Sequence, residues 1–184
     1  MSVIGIGVSN RPLIEKLLEK GVAVTARDKK ESLGELGAEL AAQGCKLKLG
    51  EDYLKDIHED DIFRTPGLRP DVPELAAAVA RGSLLTSEME VFFEVCPCPI
   101  LAVTGSDGKT TTTTLISKMF EAAGRKVFLG GNIGAALLPQ LADVTPDAVA
   151  VVELSSFQLI SMRRSPKVAV VTNVTPNHLD HHKD

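Results

Sequence analysis

The sequence predicts an α/β protein of two domains, each a parallel sheet with helices packed on it. Three observations carry this expectation. Short apolar runs alternate with amphipathic stretches along the chain, glycine-containing turns follow two of those runs, and 44% of the 184 residues are hydrophobic, ample for packed cores.

Val3-Ile4-Gly5-Ile6-Gly7-Val8 reads as a strand entering a tight turn. Pro12–Gly21 reads as a helix, because its apolar positions recur at three- and four-residue spacing between a starting proline and a closing glycine. Val22–Ala26 is the next strand, closed by Arg27-Asp28-Lys29, and a strand–helix–strand opening favours a right-handed parallel unit. Helices are expected at 32–43 and 73–80, with strands near 46–49, 61–64 and 83–86 and a loop at Thr65-Pro66-Gly67. Glu94–Pro99 is the expected boundary, giving domains 1–95 and 96–184. Beyond it come a strand at 99–103, a helix at 111–123 ending at Gly124, a strand at 126–129 running into Gly130-Gly131-Asn132, a helical turn at 133–141, and strands at 148–153 and 168–174.

The strand–loop–helix joint at 99–120 holds the strongest chemical signal. Gly105-Ser106-Asp107-Gly108-Lys109-Thr110-Thr111 has the ingredients of a phosphate loop. Glycines let backbone N–H groups converge on phosphate oxygens, the helix N-terminus adds its dipole, a lysine neutralises charge and a threonine hydroxyl reaches Mg²⁺. The spelling departs from G-x-x-x-x-G-K-[ST], since Val103 stands at the first glycine position. Downstream, an apolar strand delivers Glu153 to a polar turn, and the next one ends in Thr175-Pro176-Asn177-His178. Ligands gather at the carboxyl ends of parallel strands, so Lys109, Glu153 and His178 are expected to open onto one crevice. Thr110 and Glu153 are hard oxygen ligands suited to Mg²⁺.

The opening turn, Gly5-x-Gly7-x-x-Asn10, is a dinucleotide fingerprint lacking its third glycine, and Asp28 ends the second strand where an acid would bond a ribose hydroxyl. On these residues alone an NAD-dependent dehydrogenase is the alternative function, and a turn with no ligand is the plain one.

Bulk properties narrow the partners. A net charge of −4, no basic run and 4% aromatic residues argue against nucleic acid. No apolar stretch approaches the ~20 residues that span a bilayer, and no secretory leader is apparent, so a cytoplasmic protein with no membrane partner is expected. Three sparse cysteines, Cys45, Cys96 and Cys98, suit a reducing compartment. Cys96-Pro97-Cys98 without a second pair is a poor tetrahedral metal set and reads as thiols packed beside a strand. His178, His181 and His182 likewise lack a cysteine or carboxylate set at zinc spacing.

The loop TGSDGKTT, GGNIG at 130–134, ELSSFQL at 153–159 and NVTPNHLDH at 173–181 together resemble the Mur ligase family, with four motifs in the family's order spanning most of the chain. ELSSFQL and the N-terminal glycine turn are most similar to those members that add D-glutamate to UDP-N-acetylmuramoyl-L-alanine. The resemblance implies a Rossmann-like first domain that binds the UDP-substrate, followed by part of a P-loop ATPase-type central domain. It implies an ATP- and Mg²⁺-dependent amide ligase of peptidoglycan precursor synthesis, working as a monomer. Carried over by position, Gly7, Val8, Ser9, Asp28, Lys29 and Gly67 would meet the UDP moiety, and Asn132 and Gln158 the sugar–alanine part. Lys109 and residues 105–111 would hold the ATP phosphates, Thr110 and Glu153 one Mg²⁺, and His178 a second beside the substrate. Asn10 replaces a glycine usual in the turn, and Asp107 an asparagine beside the phosphates. The family has a further C-terminal domain that receives D-glutamate, and a carbamylated lysine that helps hold the second metal. Neither is matched within these 184 residues, so this chain alone is expected to bind its ligands and not to ligate.

Overall fold

A computed structural model describes residues 1–176. The chain divides into two compact units, Met1–Val91 and Phe92–Asp184.

The first unit runs β1 (Ser2–Ile4), α1 (Asn10–Glu19), β2 (Thr25–Asp28), α2 (Glu35–Ala42), β3 (Lys46–Leu49), β4 (Asp61–Arg64), α3 (Pro73–Ala80) and β5 (Leu84–Thr86). Its five strands are all parallel in the order β3-β2-β1-β4-β5, the Rossmann strand order 3-2-1-4-5-6 without its sixth strand. β1 lies at the centre and is fully buried, as the apolar run Val3-Ile4 requires. Ile4 packs with Ile57, Ile62, Leu75 and Ala78 to form a core under α3.

In the second unit, α4 (Glu88–Val95) crosses the division between the units and leads to β6 (Ile100–Thr104), α5 (Lys109–Ala122), β7 (Val127–Gly131), a 3-10 helix (Leu138–Asp143), β8 (Val149–Glu153), α6 (Ser156–Leu159) and β9 (Val168–Val171). Its strands are parallel in the order β7-β8-β6-β9. Every residue of β8 is buried, which explains its continuous apolar run, whereas the β9 edge is largely exposed. The chain leaves β6 for one side of the sheet and returns on the other, so the switch in strand order falls at β6. That is the end from which the phosphate loop leaves.

The structure corrects several expected boundaries. The second strand starts at Thr25, because Gly21 and Val22 close α1 in a Schellman turn, donating to Leu18 O (2.8 Å) and Leu17 O (3.0 Å). Val22–Val24 are then spent returning to the sheet, and the register begins at Ser2 opposite Thr25. The first strand ends at Ile4 and the last at Val171, both shorter than expected. α2 starts at Glu35 after Gly34, and the turn expected over 133–141 becomes the 3-10 helix at 138–143. The helices α4 and α6 were not expected. Both open on a serine followed three residues later by Glu or Gln, Ser87 with Glu90 and Ser155 with Gln158. Glu90 N donates to Ser87 Oγ at 3.2 Å, and Ser155 and Gln158 form a full capping box.

Candidate functional site

The loop between β6 and α5 is shaped by what it must avoid. Gly105 adopts φ 138°, and a Cβ there would collide with Thr172 Oγ1 and with the backbone of Asn173. Only glycine fits that close approach. The neighbours that crowd it also staple the loop. Thr172 Oγ1 donates to Asp107 O at 2.6 Å, Asp107 N donates to Asn173 Oδ1 at 2.9 Å, and Ser106 N donates to Asn173 O at 3.1 Å. Ser106 Oγ donates to Thr175 O and accepts from Thr175 N, both at 2.8 Å. All these staples are neutral and come from the segment after β9.

Gly108 precedes the first turn of α5, and Lys109 opens the helix. The Lys109 ammonium donates back to Gly105 O (2.7 Å) and Ser106 O (2.8 Å), which holds its charge against the loop. Thr113 is buried and donates to Lys109 O at 2.8 Å, so one member of the threonine run fastens the helix start. Thr113 and Ser117, both small, form the buried side of α5, which packs on β6, β7 and β8.

The decisive contact joins two strand ends. Glu153 closes β8 at 1% exposure, in register with Val103 of β6 and Gly131 of β7. Its Oε2 accepts from Thr110 Oγ1 at 2.8 Å and its Oε1 from Asn132 Nδ2 at 3.0 Å, while its carbonyl accepts from Asn132 N at 2.9 Å. A buried carboxylate held by two neutral donors, at a helix N-terminus beside a lysine, is a built place for a cation that itself binds phosphate. The donor set fits Mg²⁺, which takes one or two protein oxygens and completes its shell with water and substrate phosphate. No group of three or more His, Cys, Asp or Glu side chains is gathered among the described residues.

Thr110, Glu153 and Asn132 thus meet beside Lys109. Gln158 is placed differently: its Oε1 accepts from Ser155 N (2.8 Å) and Ser155 Oγ (3.1 Å), so its carboxamide oxygen shapes the start of α6. His178, with His181 and His182, lies outside the described residues. Thr172, Asn173 and Thr175 were missed as site residues, although Asn173 and Thr175 belong to the motif that contains His178 and Thr172 directly precedes it. Single-residue reasoning favoured the ligand-type side chain and passed over its neighbours.

The turn after β1 is built otherwise. Asp28 Oδ2 accepts from Ile6 N at 2.8 Å and Oδ1 from Lys30 N at 3.0 Å, so both oxygens tie backbone together. Asn10, at the missing third glycine, is buried, and its Nδ2 donates to Ile4 O and Gly5 O at 3.0 Å each. Gly5 (φ 83°) lies where a Cβ would meet Thr65 Cβ at 2.7 Å. Gly7, Val8, Lys29 and Gly67 are exposed and Ser9 half-buried, without a side-chain cap on α1. Each flanking strand carries a buried arginine at or next to its last residue, Arg27 in β2 and Arg64 in β4. Arg27 donates to Ser2 Oγ, to Tyr53, Lys55 and Asp56 carbonyls, and pairs with Glu59 at 3.1 Å; Arg64 donates to the Thr65, Pro66 and Leu68 carbonyls. Burial lowers the Arg64 pKa, an effect Glu90 opposes.

A sequence signature of the Mur ligase middle domain matches residues 103–184, the stretch that contains the phosphate loop, Glu153 and the stapling segment. Residues 103–184 thus carry the Mur ligase middle-domain signature, and the chain as a whole is similar to members of that family. Over its whole length it is 55% identical to UDP-N-acetylmuramoylalanine–D-glutamate ligase of Ruminiclostridium cellulolyticum, of which it covers 40%. The figures are 53% and 40% for the protein of that name from Acetivibrio thermocellus, and 51% and 41% for that of Clostridium kluyveri. The chain therefore spans about two fifths of the length of the curated relatives it matches. Among solved structures, UDP-N-acetylmuramate-alanine ligase of Thermotoga maritima aligns with a TM-score of 0.56 at 21% identity, over 100% of this chain and 43% of that one. UDP-N-acetylmuramate:L-alanyl-gamma-D-glutamyl-meso-diaminopimelate ligase of Neisseria meningitides gives 0.58 at 21%, over 97% and 61%. At that identity these two Mur ligases share the fold, and the agreement covers both α/β units. No helix among the described residues is long and apolar enough to cross a membrane.

Proposed function

We propose that these residues are the UDP-substrate-binding unit and the ATP-phosphate-binding part of an enzyme that joins D-glutamate to UDP-N-acetylmuramoyl-L-alanine. In this reading ATP phosphorylates the carboxylate of the UDP-substrate, the amine of D-glutamate attacks the acyl phosphate, and phosphate leaves as the amide forms. The observation that carries it is the Thr110–Glu153–Asn132 cluster beside Lys109 at the switch of the second sheet.

Each residue has a physical task. Backbone N–H groups of Gly105–Thr111 and the N-terminus of α5 cradle the phosphates, and Lys109 turns from the loop carbonyls to the transferring phosphoryl oxygens, where charge gathers. Mg²⁺, held by Thr110 and Glu153, would supply charge neutralisation between the phosphates. Asn132 orients Glu153, and its exposed side faces the acceptor substrate. Asp107 is exposed, its backbone fixed by Thr172 and Asn173, which leaves its carboxylate free to turn to solvent. In the first unit, Gly7, Val8, Ser9, Lys29 and Gly67 line the exposed turn offered to the UDP moiety. A carboxylate carries about four lone-pair sites, so Asp28 can accept from a ligand as well as from Ile6 and Lys30. Gln158 acts through α6, and His178 is assigned to a second Mg²⁺ by its motif alone. The proposed setting is the cytoplasm, with the protein acting as a monomer.

The test is phosphate release by a protein extended to the full length of the relatives. Release is expected to require ATP, Mg²⁺, UDP-N-acetylmuramoyl-L-alanine and D-glutamate together. Release that ignores either of the last two, or NAD bound in preference to UDP by this chain, would overturn the reading.

A further inference from the structure

The Cys96-Pro97-Cys98 segment between α4 and β6 lies outside the site described above. The two thiols touch, with Sγ to Sγ at 3.5 Å, and Cys96 Sγ also reaches Cys98 O at 3.6 Å. Cys96 is half-buried, Cys98 is 6% exposed, and neither is bonded to another cysteine. The backbone is pinned on both sides: Cys96 N donates to Phe92 O (2.9 Å), and Pro99 O accepts from Ala150 N (3.0 Å). Pro97 between them fixes a further φ.

We propose that Cys96 and Cys98 form a reversible dithiol–disulfide modification site that reacts with low-molecular-weight disulfides of the glutathione type. The sulfurs must close from contact to ~2.05 Å, a movement that side-chain rotation supplies while the pinned backbone keeps them adjacent. The order of attack follows from exposure. The Cys96 thiolate attacks one sulfur of the reagent, a bond from Cys96 Sγ to that sulfur forms, the reagent's S–S bond breaks, and one thiol leaves. Cys98 then attacks Cys96 Sγ, its proton passing to solvent; the mixed disulfide breaks and a second thiol leaves. Two electrons pass from the pair to the reagent, which ends as two thiols. Burial, together with the neighbouring Cys96 thiol, pushes Cys98 up to about 12, so Cys98 resolves and does not initiate. The bond would tie the end of α4 to the base of β6, the strand that carries the phosphate loop.

The experiment equilibrates the 184-residue chain in buffers of reduced and oxidised glutathione, quenches with acid, denatures, alkylates free thiols and reads intact mass. The reduced chain has three thiols to label, and an oxidised chain with an internal disulfide has one, the buried Cys45. The expected result is loss of two labels together, reversed by dithiothreitol. Cys98→Ser should trap glutathione on Cys96, and Cys96→Ser should keep both remaining labels across the same buffers. Three labels at every ratio, a disulfide that includes Cys45, or glutathione that stays on the unsubstituted chain without ring closure would overturn the proposal. The unsubstituted chain decides the matter even where a variant fails to fold.

Discussion

The two glycine turns of this chain occupy the same place in their sheets, after the first strand and before the first helix, yet they are fastened by opposite chemistry. The turn after β1 is held by charged or buried polar groups: Asp28 on two N–H groups, Asn10 on two carbonyls, and arginines that spend their donors on neighbouring loops. The loop after β6 is stapled to the segment after β9 through Thr172, Asn173, Ser106 and Thr175, none of them charged, while the Lys109 ammonium ties its Gly105 and Ser106 carbonyls from within. In the proposed reading this loop admits several phosphate charges, and fixed carboxylates among its staples would each repel the ligand. Neutral staples leave the local field to Lys109, to Glu153, which a cation can use, and to the exposed Asp107 of the loop itself. In the same reading the first turn meets one diphosphate and tolerates an acid that faces its own backbone.

Breaking the second loop's charge should have the largest effect. Lys109→Ala, in a full-length protein, is expected to lower phosphate release by ~10²–10³ while leaving UDP-substrate binding unchanged. Release within a few-fold of the unsubstituted protein would remove the distinction between the loops. Next comes the close approach at Gly105. Gly105→Ala in this chain should cost about 1–3 kcal/mol of stability, measured by denaturant unfolding, because Thr172 and Asn173 must move. Gly7→Ala, whose Cβ meets nothing within 4 Å, should stay within about 0.5 kcal/mol. Equal costs at the two glycines would show that crowding does not distinguish the turns.

Asp28→Asn tests the charged staple. One amide hydrogen pair would face an N–H donor, so a loss of about 1–3 kcal/mol is expected by the same measurement. A neutral outcome would mean that the turn does not depend on that carboxylate. The smallest effect concerns acid. Burial alone would raise Glu59, but hydrogen bonds from Thr25 and a backbone N–H, with the Arg27 guanidinium, hold it below the ordinary carboxylate range. A carboxyl whose folded pKa is depressed contributes stability that is present above its unfolded pKa and is lost as pH falls through the folded value. The gap in urea midpoint between the unsubstituted chain and Glu59→Gln should therefore be widest near neutrality and close in acid. A gap unchanged with pH would show that Glu59 acts by packing alone.

Much of this was legible in the residues. Apolar runs located β3, β4, β5 and β8, and the spacing of Gly105, Gly108, Lys109 and Thr110 marked the loop after β6 as the candidate phosphate site. The helices α4 and α6 were missed because periodicity is a weak signal over four to eight residues, while their serine–x–x–Glu/Gln starts went unread. β2 was placed three residues early because a Schellman turn looks like the beginning of an apolar run.

The sequence by itself determined the elements, the parallel class of the sheets and the residue types at the phosphate loop, because these depend on local propensity, periodicity and short-range turn chemistry. Only the tertiary structure decided which groups meet. Thr110 and Glu153 are 43 residues apart in the chain and 2.8 Å apart in space, and Thr172 staples a loop 65 residues earlier. Those contacts follow from strand order and register, set by packing of the whole sheet, as does the use of Asp28 and Asn10 as fasteners. Local sequence carries no record of which carbonyl or N–H a buried polar side chain will satisfy.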